Sequence, residues 1–211
     1  ASSHSQRRPC LTMERPASGG LGRTKRSWLS SALVPLGSRD YRLLWLATLP
    51  TSMSFWMEQI VLGWLVLELS DSPIILGISG LARTLPWLLF GTLAGAVADR
   101  VDRRKLLPII AVLQASMSFG IGAIVILDLA TIPIVLGYGF LSGTIAAFLF
   151  TARQAYISDV IGLGHLTGGI ALNQIAQRLM GVPGAFFGGG LIAWLGIGGD
   201  FLVMGASYVV A

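Results

Sequence analysis

A chain of 211 residues that is 54% hydrophobic and only 12% charged, with a mean hydropathy of +0.73, cannot cover a water-facing surface; soluble domains carry about twice that share of charge. The net charge of +5 does not mark a nucleic-acid binder, because eight of the fifteen basic residues, from Arg7 to Arg42, precede the first apolar segment, where they set membrane orientation before they make a binding surface. The single cysteine, Cys10, excludes an internal disulfide and any multi-cysteine metal site.

Residues 1–40 are rich in Ser, Gly, Pro and Arg without apolar periodicity, which predicts a disordered basic tail. Met13 reads as a start, with residues 1–12 upstream of it, and the tail lacks the pattern of a cleaved signal. From Tyr41 the chain predicts one transmembrane helical unit, 41–211. Its spans run over about 43–67, broken only by Glu58, and about 73–98, broken only by Arg83; about 106–127 and 129–152, both uncharged; and about 166–195, holding Arg178. A sixth, 201–211, stops before it is long enough to cross, so the expectation is the N-terminal part of a longer protein. A span needs about 20 apolar residues, and in lipid only helices or closed barrels satisfy every backbone polar group.

The connections give a direction. "ELSDSP", "LDLAT" and "GIGGD" contain no Lys or Arg, whereas the tail and the stretch "GAVADRVDRRK" hold twelve, and Arg153 ends the fourth span. Short basic loops stay in the cytoplasm, so the N-terminus is expected inside, in a multi-pass protein of the cell inner (plasma) membrane. Trp45, Trp64 and Trp194 fall near the interfaces, where aromatic belts form, while Trp56 and Trp87 lie deeper and are candidates for a cavity wall with Met53, Met57, Gln114 and Phe148.

Charge inside a membrane is costly and therefore informative. Glu58 and Arg83 each lie about ten residues from the turn between the first two spans, a depth of about 15 Å, near the midplane. Paired across antiparallel helices, they would offset each other's desolvation. Two roles stay open for Glu58: a protonation site coupling proton movement to transport, or one member of a fixed structural pair. Arg153, Asp159 and Arg178 suggest an ionic network on the cytoplasmic side. "GVPGAFFGGG" sets Gly181, Pro183, Gly184, Gly188 and Gly189 as a helix-packing motif.

Gly95, Asp99, Arg100, Arg103 and Arg104 in "GAVADRVDRRKLL" resemble the G-x-x-x-D-R-x-G-R-R/K signature of the major facilitator superfamily between its second and third helices, with Asp102 where the pattern has Gly. "YRLLWLATLPTSMSFWMEQIVLGWLVLELSDSP", "FTARQAYISDVI" and "ALNQIAQRLMGVPGAFFGGGLIAWLG" extend the resemblance to the efflux subgroup that includes enterobactin-type exporters. Glu58 departs from it, standing where a neutral residue is expected. "GVPGAFFGGG" loosely resembles the glycine-proline motif of the antiporter branch with Pro displaced; plain helix packing explains it equally well.

The resemblance implies an all-α fold, the six-helix N-terminal half (3+3 inverted repeat) of a twelve-helix transporter, with a missing C-terminal six-helix half as partner. Asp99 would latch the halves. It further implies proton-coupled efflux of small amphiphilic, drug- or siderophore-like molecules by alternating access, with no cofactor, the proton gradient as energy source, the lipid bilayer and a small-molecule substrate as partners, and no nucleic acid. A membrane enzyme is disfavoured by the lack of HExxH, GxSxG or paired His and Asp clusters. The membrane domain of an ATP-driven exporter, a lipid facilitator and a non-transporting membrane protein remain as alternatives.

Overall fold

The structure is a computed structural model in which residues 39–161 and 166–210 are described; the expectation for the tail therefore lies outside the described residues, apart from its last two. Among the described residues six helices follow one another: α1 (Arg39–Ser70), α2 (Pro73–Arg100), α3 (Arg103–Ile126), α4 (Ile132–Ile161), α5 (Leu166–Leu179) and α6 (Gly181–Val210). No strand occurs among the described residues.

The turns between helices have local causes. Asp71 and Asp128 adopt left-handed backbone conformations (φ 47° and 55°), which Asp tolerates better than most residues. Pro73 opens α2, where its missing N–H costs nothing. Asp102 caps α3 by accepting a bond from the Arg104 backbone N–H at 3.1 Å. This gives the residue that departs from Gly in the signature a local role: standing between Arg100 and Arg103, it starts a helix. Replacing Asp102 with Ala should cost about 1 kcal/mol of stability and with Gly only a few tenths, read by thermal melting of the two variants.

The expected fifth span, 166–195, is interrupted. Pro183 has no N–H to offer the Leu179 carbonyl, and a proline ring crowds the carbonyl four residues back, so α5 ends at Leu179 and a new helix starts at Gly181. α6 then reverses direction at Gly196, whose φ of 71° lies outside helical values. Register shows the reversal. Gly184 lies against Met53 and Gly188 against Met57, so the first part of α6 runs parallel to α1; Gly198 lies against Ile126 and Gly205 against Phe119, so the second part runs antiparallel to α3.

Four described segments are long and apolar enough to cross a membrane: 73–97, 104–126, 132–160 and 168–210, the last containing the reversal. α1 is long enough but is diluted by Thr48, Thr51, Ser52, Ser54, Glu58 and Gln59. Five of those six are buried, so its polarity faces the bundle interior.

α2 packs on α4, and α1 and α3 pack on α6. The core gathers where Met57, Val61, Leu65 and Val66 of α1 meet Ile121 of α3, Val135 and Tyr138 of α4, and Ile197, Phe201 and Met204 of α6. Lipid-type exposure surrounds it: Leu88, Val182, Phe186 and Trp194 are among the many exposed large apolar side chains, as a bilayer-facing surface requires. One end of the bundle carries Glu68, Asp71, Asp128 and Asp200 and the other Arg100, Arg104 and Lys105; they are called the acidic and basic ends below.

Candidate functional site

α1 sits at the centre of the polar interior. Thr48, Thr51, Ser52, Ser54 and Glu58 recur along it at helical intervals and are buried, placing hydroxyls and one carboxylate on a stripe facing α2, α3, α4 and α5. Tyr41 donates to the Gly169 carbonyl at 2.9 Å, Thr48 to Asn173 Oδ1 at 3.2 Å and Trp56 Nε1 to the Gln177 carbonyl at 3.1 Å, so α5 is held to α1 by polar contacts.

At the middle of this stripe Glu58 Oε1 lies 3.1 Å from Arg83 Nη1, with side chains 1% and 5% exposed. Gln114 Nε2 of α3 approaches Glu58 Oε2 at 3.4 Å, the Phe55 carbonyl lies 3.5 Å from Arg83 Nη2, and the Arg83 guanidinium stands 4.8 Å from the Phe55 ring centroid. The pair is thus neutralised and surrounded by weaker donors and acceptors, the condition for two charges to remain in a medium of low dielectric. α4 is drawn in close here: Gly143 contacts the Arg83 backbone carbonyl so tightly that a Cβ would collide with it.

Beside the pair, toward the basic end, a cavity of about 330 Å³ opens. Phe55, Trp56, Trp87 and Phe150 form its aromatic wall, with the Trp87 and Phe150 rings tilted against each other at 51° and 5.2 Å between centroids. Its polar lining consists of Gln114, Gln174 and Gln177, the hydroxyls of Thr51, Ser52 and Tyr208, and two cations, Arg153 and Arg178, with no acidic residue among the described residues. Arg153 is 8% exposed and its Nη2 donates to Thr51 Oγ1 at 2.9 Å. Gln114 belongs to both places: it bonds Glu58 and lines the cavity.

Set against the sequence expectations, Trp56, Trp87 and Gln114 line the cavity, whereas Met57 and Met53 join the core and Phe148 packs with Ile110 and Ala152. Arg153 and Arg178 both line the cavity, and Asp159 lies exposed near the end of α4. Of the glycine motif, Gly181, Gly184 and Gly188 lie against α1, with a Cβ at Gly184 coming within 2.8 Å of the Met53 carbonyl, while Gly189 faces open space. Pro183 separates α5 from α6. Gly95 also faces open space, Arg100 is exposed, and the side chains of Asp99 and Arg103 lie outside the described residues.

Sequence reasoning passed over Thr51, Phe55 and Gly143. Phe55 had a signal: it precedes Glu58 by three residues on one helical face, so a cation reaching the carboxylate meets the ring too. Gly143 had none, being one of several glycines in an apolar span.

Residues 30–211 match the family model described as transmembrane secretion effector. Over 161 residues the chain is 29% identical to the staphyloferrin A transporter of Staphylococcus aureus, covering 74% of this chain and 40% of that one. Over 177 residues it is 23% identical to YkuC of Bacillus subtilis, an uncharacterized MFS-type transporter, covering 82% and 40%. No solved structure matches. The chain spans about two-fifths of the length of the curated relatives it matches.

Proposed function

The chain belongs to the transmembrane secretion effector family of major facilitator superfamily transporters, and on that premise we propose that it forms one six-helix half of a secondary transporter that exports small amphiphilic molecules in exchange for protons by alternating access. It is a multi-pass membrane transporter and not an enzyme. The observation that carries the finer reading is the continuity between Glu58 and the cavity: Gln114 touches the carboxylate with one face of the site and substrate space with the other. A proton arriving at Glu58 releases Arg83 from its partner, alters the Gln114 contact and so changes the wall that substrate meets. Aromatic rings beside two arginines that line the cavity favour molecules that pair an apolar body with an anionic group; the staphyloferrin A transporter is one relative with a named small-molecule cargo.

In this reading the basic end is cytoplasmic and the membrane is the inner (plasma) membrane. Asp99, Arg100, Arg103 and Arg104 form the gating contact with a second six-helix half, and the open space at Gly95 is where that half approaches. Arg153, Asp159 and Arg178 secure the cytoplasmic side, Arg153 through Thr51. Everted vesicles containing the intact transporter test the coupling: adding an anionic amphiphile to energised vesicles should partly dissipate the proton gradient, seen as dequenching of a pH-sensitive dye. Uptake that persists unchanged after the gradient is collapsed with a protonophore would reject proton exchange.

A further inference from the structure

We propose that Asp200 is a second proton-binding site, at the acidic end of the bundle, holding a proton on its carboxyl group while the turn at Gly196 is packed against its neighbours and exchanging it when that packing opens. Asp200 follows the reversal of α6 by four residues and is fully buried, and neither carboxyl oxygen has a hydrogen-bond partner among the described residues. The helices of this chain alone cover it. No further polypeptide is needed to take it out of water.

The covering is built from close backbone approach. A Cβ at Gly122 would lie 3.1 Å from the Gly198 carbonyl oxygen and 3.2 Å from Phe201 Cβ, so α3 and the returning part of α6 touch without intervening side chains. Phe201, next to Asp200, is buried with its ring edge-to-face on Tyr138 of α4 at 5.6 Å. α1 joins the same core through Leu65 and Val66, packed in one cluster with Ile197 and Phe201.

Toward the acidic end the described titratable groups on these elements and their connections are Glu68 and Asp71 about the end of α1, Asp128 after α3 and Tyr138 on α4; Tyr208, Arg153, Tyr156, Asp159, Arg104, Lys105, Arg39 and Arg42 lie toward the basic end, and Glu58 lies deeper and is occupied by Arg83. Glu68 and Asp128 are exposed, and no Lys or Arg occurs in the three connections at this end. Among the described residues nothing there supplies a counter-charge. An ionised carboxylate buried without a partner costs far more than the neutral acid, so the group keeps its proton instead of its charge. A metal does not take the proton's place, since no group of three or more His, Cys, Asp or Glu suited to one occurs among the described residues. A cavity of about 510 Å³ lined by Glu68, Asp128 and Gly196 to Gly199 lies directly beside the turn. Loosening the Gly122–Gly198 contact joins Asp200 to that space and lets the proton leave.

The site depends on the fold and not on the transport reading, so its test is spectroscopic. Infrared spectra of the intact transporter in lipid at about pH 6, above the ordinary carboxylate range, should contain a carboxylic-acid carbonyl band that D200N lacks and that E68Q and D128N retain. The folded state then binds a proton that the unfolded state gives up, so the wild-type unfolding equilibrium should shift toward unfolding by up to about tenfold per pH unit as pH rises above the ordinary carboxylate range, and D200N should lose that slope. Superimposable wild-type and D200N spectra, or equal slopes, overturn the proposal. Should D200N fail to fold, D200E must shift the band; an unshifted band overturns it equally.

Discussion

Glu58→Gln should abolish uphill, proton-driven transport while leaving exchange down the substrate's own gradient, and it should also lower stability by about 3–5 kcal/mol, because it strands the Arg83 guanidinium as a buried charge without a counter-charge. Arg83→Gln should cost a similar amount for the converse reason. The double variant Glu58→Gln/Arg83→Gln removes both charges together and should therefore be markedly more stable than the sum of the singles, with an interaction term of up to about 3 kcal/mol in a double-mutant cycle. That cycle separates the two roles open for Glu58. If the pair is a fixed structural bridge, the double variant recovers proton-driven transport along with stability. If Glu58 carries the coupling proton, stability returns and coupling does not. Melting temperature and uphill transport, measured on the same four proteins in lipid, decide between them.

Gly143→Ala is expected to be nearly as damaging, although it adds one methyl group. The methyl would collide with the backbone carbonyl of Arg83, and backbone cannot swing aside as a flexible side-chain end does. Either α2 or α4 must shift, at a cost of about 1–3 kcal/mol or more, set against a helix-propensity gain of up to about 1 kcal/mol for replacing Gly. A displacement of α2 at this level also moves Arg83 off Glu58, so transport should fall beyond what the loss of folded protein explains. Gly137, one of the other glycines of α4, has nothing within 4 Å of its Cβ position. Gly137→Ala should be neutral or slightly stabilising, and equal melting temperatures for the two alanine variants would show that the α2–α4 approach does not matter.

The fold was legible to the extent that it depends on composition along the chain. Apolar runs of sufficient length, separated by turns with Asp, Pro and Gly, mark helices because lipid leaves the backbone few alternatives. The break after Leu179 was written in Pro183, yet the span reads as continuous when only apolarity is counted. Reversal at Gly196 was legible only as a glycine-rich connection between two apolar runs. Asp200 at the edge of that connection reads as one more loop acid, and what separates it from exposed Glu68 and Asp128 is the contact of Gly122 with Gly198, residues 76 positions apart in the chain.

The sequence by itself determined the membrane character, the approximate limits of the first three helices, and the matching distance of Glu58 and Arg83 from the turn between the first two, because each follows from counting residues against a fixed rise and a fixed hydrocarbon thickness. Facing is another matter. Which side of each helix meets which neighbour depends on ridges, small residues and crossing angles summed over the bundle, and a helix that is apolar nearly all round carries little periodic signal to announce it. Only the tertiary structure decided that Gln114 joins Glu58 to the cavity, that Arg153 turns to Thr51, that Met57 goes to the core while Trp56 goes to the cavity, and that Asp200 is sealed from water.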